Sequence, residues 1–328
     1  MIESRGNMKR YEESDLSEIA RFSSPFLTNY SGKKILISGA TGFVGSWLTA
    51  FFDYANRNLS MNFQVTCMAR VIPTEFRGFY PDFNFIQGDV SNHGFTSGFQ
   101  ADCIINAATP SVPKRGGEDP SQILKASIDG TENLLGLSSE DGETLFINLS
   151  SGIVTKRVTD ELLDLSLPKD AYLHGKRVSE ELVNRAIKDG KVKGRNVRLY
   201  AFAGPGISLT DHFAVGNFVN DALSGRPIEI SGNPLTVRSY LYPTDLIINL
   251  LKLADGNAEE VSEIGSASRV TMQEIATLIN SVIGNVGINQ SANVGSVDVY
   301  APHPSTNKIV QNVSLTESIS RWVNWLKF

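Results

Sequence analysis

Three glycines spaced three residues apart, Gly39, Gly42 and Gly45, stand between a β-rich run at 35–37 and an apolar helical pattern that begins at once. Few backbones need that order. At Gly39 the missing Cβ permits a tight strand-to-helix turn, at Gly42 it lets a ligand approach the main chain, and at Gly45 it lets the helix lie close on its strand. The helix N-terminus then presents unpaired N–H groups and the positive end of the helix dipole, which favour an anion such as a dinucleotide pyrophosphate. A glycine triplet alone is a weak signal. Its place between strand and helix makes it a dinucleotide-binding fingerprint.

The alternation continues downstream. Apolar β-rich segments at 63–69, 83–86, 102–105 and 144–149 are separated by helical patterns, one of them carrying Ile123, Leu124, Ala126, Ile128 and Leu134. This pattern predicts an α/β fold, a Rossmann-type doubly wound parallel sheet, with ligands beyond the carboxyl ends of its strands. The helix after the glycine turn is expected to reach about Tyr54, with a polar loop over 56–62. Gly204-Pro205-Gly206 breaks the alternation, and the remainder reads as a smaller C-terminal substrate-binding lobe interleaved with returns to the sheet. The expected division is an N-terminal extension over 1–30, a dinucleotide-binding domain over 31–203 with returning segments at about 236–268, and a lobe built from 204–235 and 269–328. The extension should hold a short helix capped by Ser14, with Leu16, Ile19, Ala20 and Phe22 turned inward. The last helix should open on a capping box of Ser314 and Glu317, its apolar face formed by Leu315, Ile319, Trp322 or Val323, and Leu326.

Composition narrows the partners. The chain has 328 residues, 41% hydrophobic and 20% charged, enough for one large α/β unit plus a lobe. Its formal net charge is −5 with no basic block, so neither nucleic acid nor an anionic membrane is an expected partner. No apolar run is long enough to span a bilayer and the first residues lack a signal-peptide core, which places the expected location in the cytoplasm. Cys67 and Cys103 fall in buried-strand patterns outside metal-ligand spacing and read as small apolar filler. The four histidines are scattered, and no metal site is expected.

A second constellation follows the fifth strand. Tyr172 and Lys176 lie four residues apart on a helical pattern and so share one face. A phenol with a pKa near 10 is a poor base at neutral pH, and a neighbouring ammonium favours the phenolate. A hydroxyl at the end of the fifth strand would complete the set by holding the same substrate oxygen, and Ser150 and Ser151 both qualify.

Taken in order, these motifs resemble the extended short-chain dehydrogenase/reductase superfamily, the NAD-dependent epimerase/dehydratase group acting on nucleotide sugars. The resemblance runs from about residue 33 to the C-terminus. It rests on the glycine triplet, Gly88-Asp89-Val90, Asn106-Ala107-Ala108, Ser150-Ser151, Tyr172-x-x-x-Lys176, Gly204-Pro205 and Arg238-Ser239-Tyr240-Leu241-Tyr242-x-x-Asp245. The segment from Tyr200 to Asp245 is similar to a subgroup resembling dTDP-glucose 4,6-dehydratase. The resemblance implies a catalytic triad of Ser151, Tyr172 and Lys176. It implies a cofactor groove lined by Gly39, Thr41, Gly42, Phe43, Val44, Gly45, Val90, Ala107 and Ala108, with Asp89 on the adenine. Gly204, Pro205, His212, Asn217 and Arg238 are then expected to face the nucleotide-linked hexose. Arg238 suits a diphosphate independently, because a guanidinium makes a planar two-point bond to phosphate oxygens; a surface salt bridge is its other reading. A homodimer is also implied, through the helix bearing Tyr172 and the one around Ile123, with Leu124, Ile128, Leu182 and Val183 as apolar positions that serve equally as core.

Departures from the family pattern decide the sub-function. Dehydratases of the group carry an acidic pair directly after the catalytic hydroxyl residue, and decarboxylases usually a glutamate there. Here those places hold Gly152 and Ile153, neither able to exchange a proton. The expected chemistry is therefore NAD(P)-dependent redox at sugar C4, as in an epimerase or ketoreductase. A 4,6-dehydratase and a non-catalytic dinucleotide sensor are the alternatives. NAD-preferring members end the second strand in an acidic residue that bonds the ribose 2′-OH. Ala69 stands there with Arg70 next, which leans the expectation to NADP, Arg77 being the competing arginine. Ser127 occupies a position where many relatives have asparagine, so that link of the proton-relay scaffold is expected to differ. His174 is expected at the surface, and His93 and His303 in loops without a role.

Overall fold

Residues 9–92, 99–109, 119–156, 158–210, 213–253, 261–290, 296–304 and 309–327 are described in the computed structural model of the chain. Helix α1 (Glu13–Leu27) is followed by β1 (Lys34–Ser38), α2 (Phe43–Leu59), β2 (Gln64–Ala69), α3 (Thr74–Phe79), β3 (Asn84–Gln87) and β4 (Cys103–Asn106). Next come α4 (Pro120–Ser127), α5 (Asp129–Leu135), β5 (Leu145–Ser151), α6 (Pro168–Lys188) and β6 (Lys193–Leu199). The chain continues through β7 (Ala201–Phe202), α7 (Ala214–Leu223), β8 (Ile228–Ile230), β9 (Val237–Arg238), β10 (Tyr240–Leu241), α8 (Pro243–Lys252) and β11 (Val261–Ile264). It ends with β12 (Val270–Thr271), α9 (Met272–Ile283), β13 (Ile288–Gln290), β14 (Val299–Tyr300) and α10 (Leu315–Lys327).

Seven strands form one sheet in the order β11-β6-β5-β4-β1-β2-β3. Strand β1 pairs in parallel with β2 on one side and β4 on the other, and β3 and β5 extend the sheet in parallel beyond them. The chain therefore walks outward from β1 to β3 and returns to β4 on the opposite side of β1. That reversal is the topological switch point, where a Rossmann-type sheet opens a crevice at its carboxyl edge. Ile35, Leu36 and Ile37 are all fully buried, as expected of a parallel strand covered on both faces.

Two compact units emerge. One comprises Asn7–Arg198 with Ile247–Ser262; the other holds Leu199–Leu246 with Glu263–Phe328. In the first unit, Leu36, Ile104, Phe146 and Val183 join one buried apolar cluster. In the second, β9 lies between β12 and β14, β8 pairs with β13, and α9 opens on a capping box of Thr271 and Glu274. The Asp245 carboxylate is fully buried there and accepts from Asn312 N, Asn312 Nδ2 and Val313 N at 2.9–3.0 Å. The aspartate of the Arg-Ser-Tyr-Leu-Tyr motif thus stitches the chain before α10 to α8. Among the described residues no helix is long and apolar enough to cross a membrane.

Several local expectations need correction. Helix α2 runs past Tyr54 to Leu59, because Asn56 stays helical and uses its amide to bridge to Phe63, donating to its carbonyl (2.9 Å) and accepting from its N–H (2.7 Å). The single helix expected around Ile123–Leu134 is two, broken at Ile128, whose φ/ψ of −93°/−69° lies at the edge of the right-handed helical region. Ser14 lies inside α1, where Glu12 takes the N-cap position; Leu16, Ile19 and Ala20 are buried as expected and Phe22 only partly. At α10 Ser314 does accept from Glu317 N (3.2 Å), but the Glu317 carboxylate pairs forward with Arg321 (2.6 Å), and Trp325 joins the buried face.

Candidate active site

The glycine turn is built by contact between the carboxyl ends of β1 and β4. Gly39 has φ +69°, and a Cβ there would lie 2.3 Å from the Ala107 carbonyl oxygen and 2.9 Å from the Ala108 Cα. A Cβ on Gly45 would lie 2.2 Å from the Gly39 carbonyl oxygen, so the helix could not sit down on the turn. Gly42 is exposed and takes the N-cap position of α2 with no side chain over the helix end. Thr41 Oγ1 donates to the Val71 carbonyl (3.3 Å), tying the turn to the segment after β2, and Phe43 and Val44 are half-buried in the first helical turn. The result is a glycine turn that opens on the N-terminus of α2 at the switch point, which fits a dinucleotide pyrophosphate.

The ends of β2 and β3 flank this cradle. Arg70 is the first residue beyond β2 and is exposed. Burial works against the Asp89 carboxylate, but Ser91 N (2.9 Å), Ser91 Oγ (2.7 Å) and the nearby Arg70 charge hold it below the usual carboxylate range. Arg77 turns to β3, its guanidinium 5.0 Å from the Phe85 ring centre and its Nη2 3.4 Å from Gln87 Oε1. Val90 is buried against Gly130, where a Cβ would approach its Cγ1 to 2.7 Å.

Strand β5 ends in Ser150 and Ser151, and the chain turns immediately into a 3-10 helix over Gly152–Thr155. The two serines separate by chemistry. Ser150 Oγ donates to Glu180 Oε1 at 2.6 Å, whereas Ser151 Oγ accepts from Ile153 N at 3.3 Å. On α6 Tyr172 is half-buried and Lys176 is 4% exposed. Lys176 Nζ donates to the Leu149 carbonyl (2.6 Å) and lies 5.8 Å from the Tyr172 ring centre. The structure thus brings Lys176 against both Tyr172 and the strand end that carries Ser151. Burial pushes the Lys176 ammonium from 10.5 down to about 8, with Glu180 pulling the other way.

Helix α6 is fixed in height on the sheet by a buried polar ladder. Ser38 Oγ donates to Asn106 Oδ1 (3.0 Å), Asn106 Nδ2 to Asn148 Oδ1 (3.1 Å), and Asn148 Nδ2 to both Asn196 Oδ1 (2.8 Å) and Ser179 Oγ (3.0 Å). These bonds cross β1, β4, β5 and β6 and end on α6 one turn beyond Lys176. On the other flank α4 presses close: a Cβ on Gly175 would lie 2.8 Å from the Ser127 Cβ, and Ser127 Oγ donates back to Ile123 O (2.8 Å). His174 Nδ1 lies 3.3 Å from Asp160 Oδ2, and Arg177 pairs with the same carboxylate.

Sequence reasoning missed Glu180 and Arg198. The available signal was the spacing: Tyr172, Lys176 and Glu180 recur every fourth residue and so follow one helical face. The substrate-facing candidates lie in the second unit. Gly204 packs so closely on Pro243 that a Cβ would meet its Cδ at 2.4 Å; Pro205 is buried and Asn217 half-buried on α7. Arg238 is held by Asp298 (3.2 Å) and lies 5.8 Å from the Tyr300 ring centre. His212 and His93 lie outside the described residues.

The sequence profile of the NAD dependent epimerase/dehydratase family matches residues 35–265. UDP-glucuronic acid decarboxylase 1 of Xenopus tropicalis is 26% identical over 275 residues, covering 80% of this chain and 63% of that relative. The chain therefore spans less than two thirds of that relative's length. In three dimensions it is similar to an epimerase of Methanothermobacter thermautotrophicus, with a TM-score of 0.72 at 18% identity over 94% of this chain and 96% of the other. It is also similar to dTDP-glucose 4,6-dehydratase of Bacillus anthracis in complex with NAD, with a TM-score of 0.69 at 20% identity over 90% of this chain and 96% of that one. These structural likenesses are likenesses of fold. The profile match begins in β1 and ends just past β11, taking in the glycine turn and the whole seven-stranded sheet, and on that ground the chain belongs to the NAD dependent epimerase/dehydratase family.

Proposed function

We propose that this protein carries out NAD(P)-dependent redox chemistry at C4 of a nucleotide-linked hexose, as a C4 epimerase or ketoreductase. The observation that carries this reading is the setting of Ser151. It stands at a strand end served by Tyr172 and Lys176, and the next two residues are Gly152 and a buried Ile153. With Tyr172 as phenolate, its oxygen takes the C4 hydroxyl proton, and in the reverse direction returns it. Ser151 holds the same oxygen by a hydrogen bond, and the Lys176 ammonium favours the phenolate. Bound at the glycine cradle, NAD(P) supplies the hydride acceptor or donor. Elimination of water across C5 and C6 needs an additional acid and base, which Gly152 and Ile153 do not offer. Gly152 and Ile153 likewise stand where decarboxylases of the group usually carry a glutamate, which counts against the activity named for the relative in Xenopus tropicalis.

Incubation with a panel of UDP- and dTDP-hexoses while following absorbance at 340 nm separates the outcomes. Stoichiometric cofactor turnover identifies a reductase; isomer conversion without net change identifies an epimerase. A 4-keto-6-deoxy product overturns the reading in favour of a dehydratase. Tyr172→Phe is expected to abolish turnover while cofactor binding, measured by fluorescence, persists; full activity in that variant defeats the proposed triad.

The cofactor reading leans to NADP. Arg70 follows β2 directly, where a 2′-phosphate would lie, with its charge acting on Asp89; Arg77 lies further on, against Phe85 and Gln87 of β3. Arg70→Ala is expected to weaken NADP binding about tenfold, the worth of one charge-assisted contact, while NAD binding changes little. Equal losses for both dinucleotides would remove Arg70 from the discrimination.

A further inference from the structure

Glu180 is 6% exposed, yet its carboxylate is fully engaged in a way that neither helix propensity nor packing requires. Ser150 Oγ donates to Oε1 (2.6 Å), and Arg198 of β6 makes a two-point bond, Nε to Oε1 at 2.9 Å and Nη2 to Oε2 at 2.6 Å. Ser150 is flanked by Leu149, whose carbonyl takes the Lys176 hydrogen bond, and by Ser151. Glu180 itself sits one helical turn beyond Lys176 and is the ionisable group whose charge acts on it. A buried ion pair is weak evidence for stability, because desolvation offsets most of its attraction. What this one does provide is a fixed negative charge beside a buried ammonium, bonded to the residue next to the strand-end hydroxyl.

We infer that Glu180, clamped by Ser150 and Arg198, is a positioning residue that keeps the Lys176 ammonium charged and in register with Tyr172 and Ser151. The inference rests on the triad reading given above. Among the described residues, α6 sets Tyr172 and Glu180 on the same helical face as Lys176, β5 offers the Leu149 carbonyl, and β6 brings Arg198 onto Glu180. Neutralising Glu180 would leave Arg198 as an uncompensated positive charge near the ammonium. Neutralising Arg198 would leave Glu180 to act on Lys176 undiminished.

The test reads the Lys176 proton directly. Protein labelled with 13C at lysine Cε is titrated by NMR, with the Lys176 signal assigned by its loss in Lys176→Met. Glu180→Gln is expected to lower the Lys176 midpoint by about one pH unit, a tenfold fall in the ratio of ammonium to amine at a given pH, and Arg198→Gln to raise it. Opposite shifts are the electrostatic signature. Loosened packing would move both variants upward toward the ordinary lysine value, and that result, or an unmoved midpoint in both, overturns the inference. Should Glu180→Gln fail to fold, Arg198→Gln is read against Arg198→Lys, which keeps the charge but loses the two-point bond: an upward shift in Arg198→Gln alone supports the inference, and an equal upward shift in both, the mark of loosened packing, or none in either overturns it. Undiminished turnover in Tyr172→Phe would fail the triad reading instead, and the titration distinguishes the two failures.

Discussion

Lys176 carries its proton in the folded chain only up to about pH 8, because burial disfavours the ammonium and Glu180 offsets part of that cost. The charged form, and with it the support for a Tyr172 phenolate that the proposed triad requires, is expected below that pH and not above it. The kcat/KM profile is therefore expected to fall on its alkaline limb with a midpoint near 8. Stability should run the other way over the same interval. Between the folded value near 8 and the ordinary 10.5, the unfolded chain binds more protons, so this group's contribution to stability rises with pH. Lys176→Met is expected to flatten that rise in urea denaturation series, and an alkaline limb that stays near pH 10 would refute the assignment. At this scale the sequence was legible where spacing encodes contact, as with Tyr172 and Lys176 four apart. It was not legible where the partner sits on another element. Nothing in Ser150-Ser151 says that the first hydroxyl is spent on Glu180, because that depends on α6 lying over β5 and on Arg198 arriving from β6.

Among the elements, α1 and the residues before it show how the N-terminal segment packs beside the glycine turn. The Tyr11 ring stacks on Trp47 of α2 at 3.9 Å with an interplanar angle of 16°, and Tyr11 Oη lies 2.7 Å from Ser46 Oγ. Ser46 is in the first turn of α2, and its N–H donates to the Gly42 carbonyl (2.9 Å). Arg10 reaches the Phe79 carbonyl (3.1 Å) and Tyr30 the Leu251 carbonyl (3.2 Å), so the segment is fastened at both ends. Tyr11→Ala removes a half-buried stacked ring and should cost about 2 kcal/mol of stability in chemical denaturation. Tyr11→Phe keeps the ring and should cost about 1 kcal/mol. Equal effects would show that the hydroxyl, not the stack, holds the segment. The α/β alternation was readable because strands buried on both faces leave unbroken apolar runs, β1 and β4 being the clearest. Boundaries were not. The break at Ile128 carries neither glycine nor proline, and α2 extends to Leu59 with the Asn56 amide bonded to Phe63 in the following loop and the Asn58 amide donating back to the Tyr54 carbonyl.

Across the whole molecule, charge, sheet order and the two compact units say where a dinucleotide acts on stability. The cradle lies wholly within the unit that contains Asn7–Arg198, and so do both cysteines. Cys67 of β2 and Cys103 of β4 are 0% and 2% exposed, and burial pushes both thiols up to about 12. Each lies in a strand that borders β1, so a reagent reaches them only when the sheet opens. Labelling by an aromatic disulfide at pH 8 should therefore be slow and should track the opening equilibrium of this unit rather than local fluctuation. A ligand that binds the closed form alone, at a concentration one hundred times its Kd, stabilises it by about 2.7 kcal/mol and should slow labelling about a hundredfold. NADP is expected to protect at lower concentration than NAD, in keeping with Arg70 at the end of β2. Protection by dinucleotide without any sugar nucleotide would place the effect in the cradle itself. Immediate labelling of either thiol would show that the strands open locally rather than with the unit, and a rate indifferent to both dinucleotides would show that the ends of β1 and β4 do not form the binding turn.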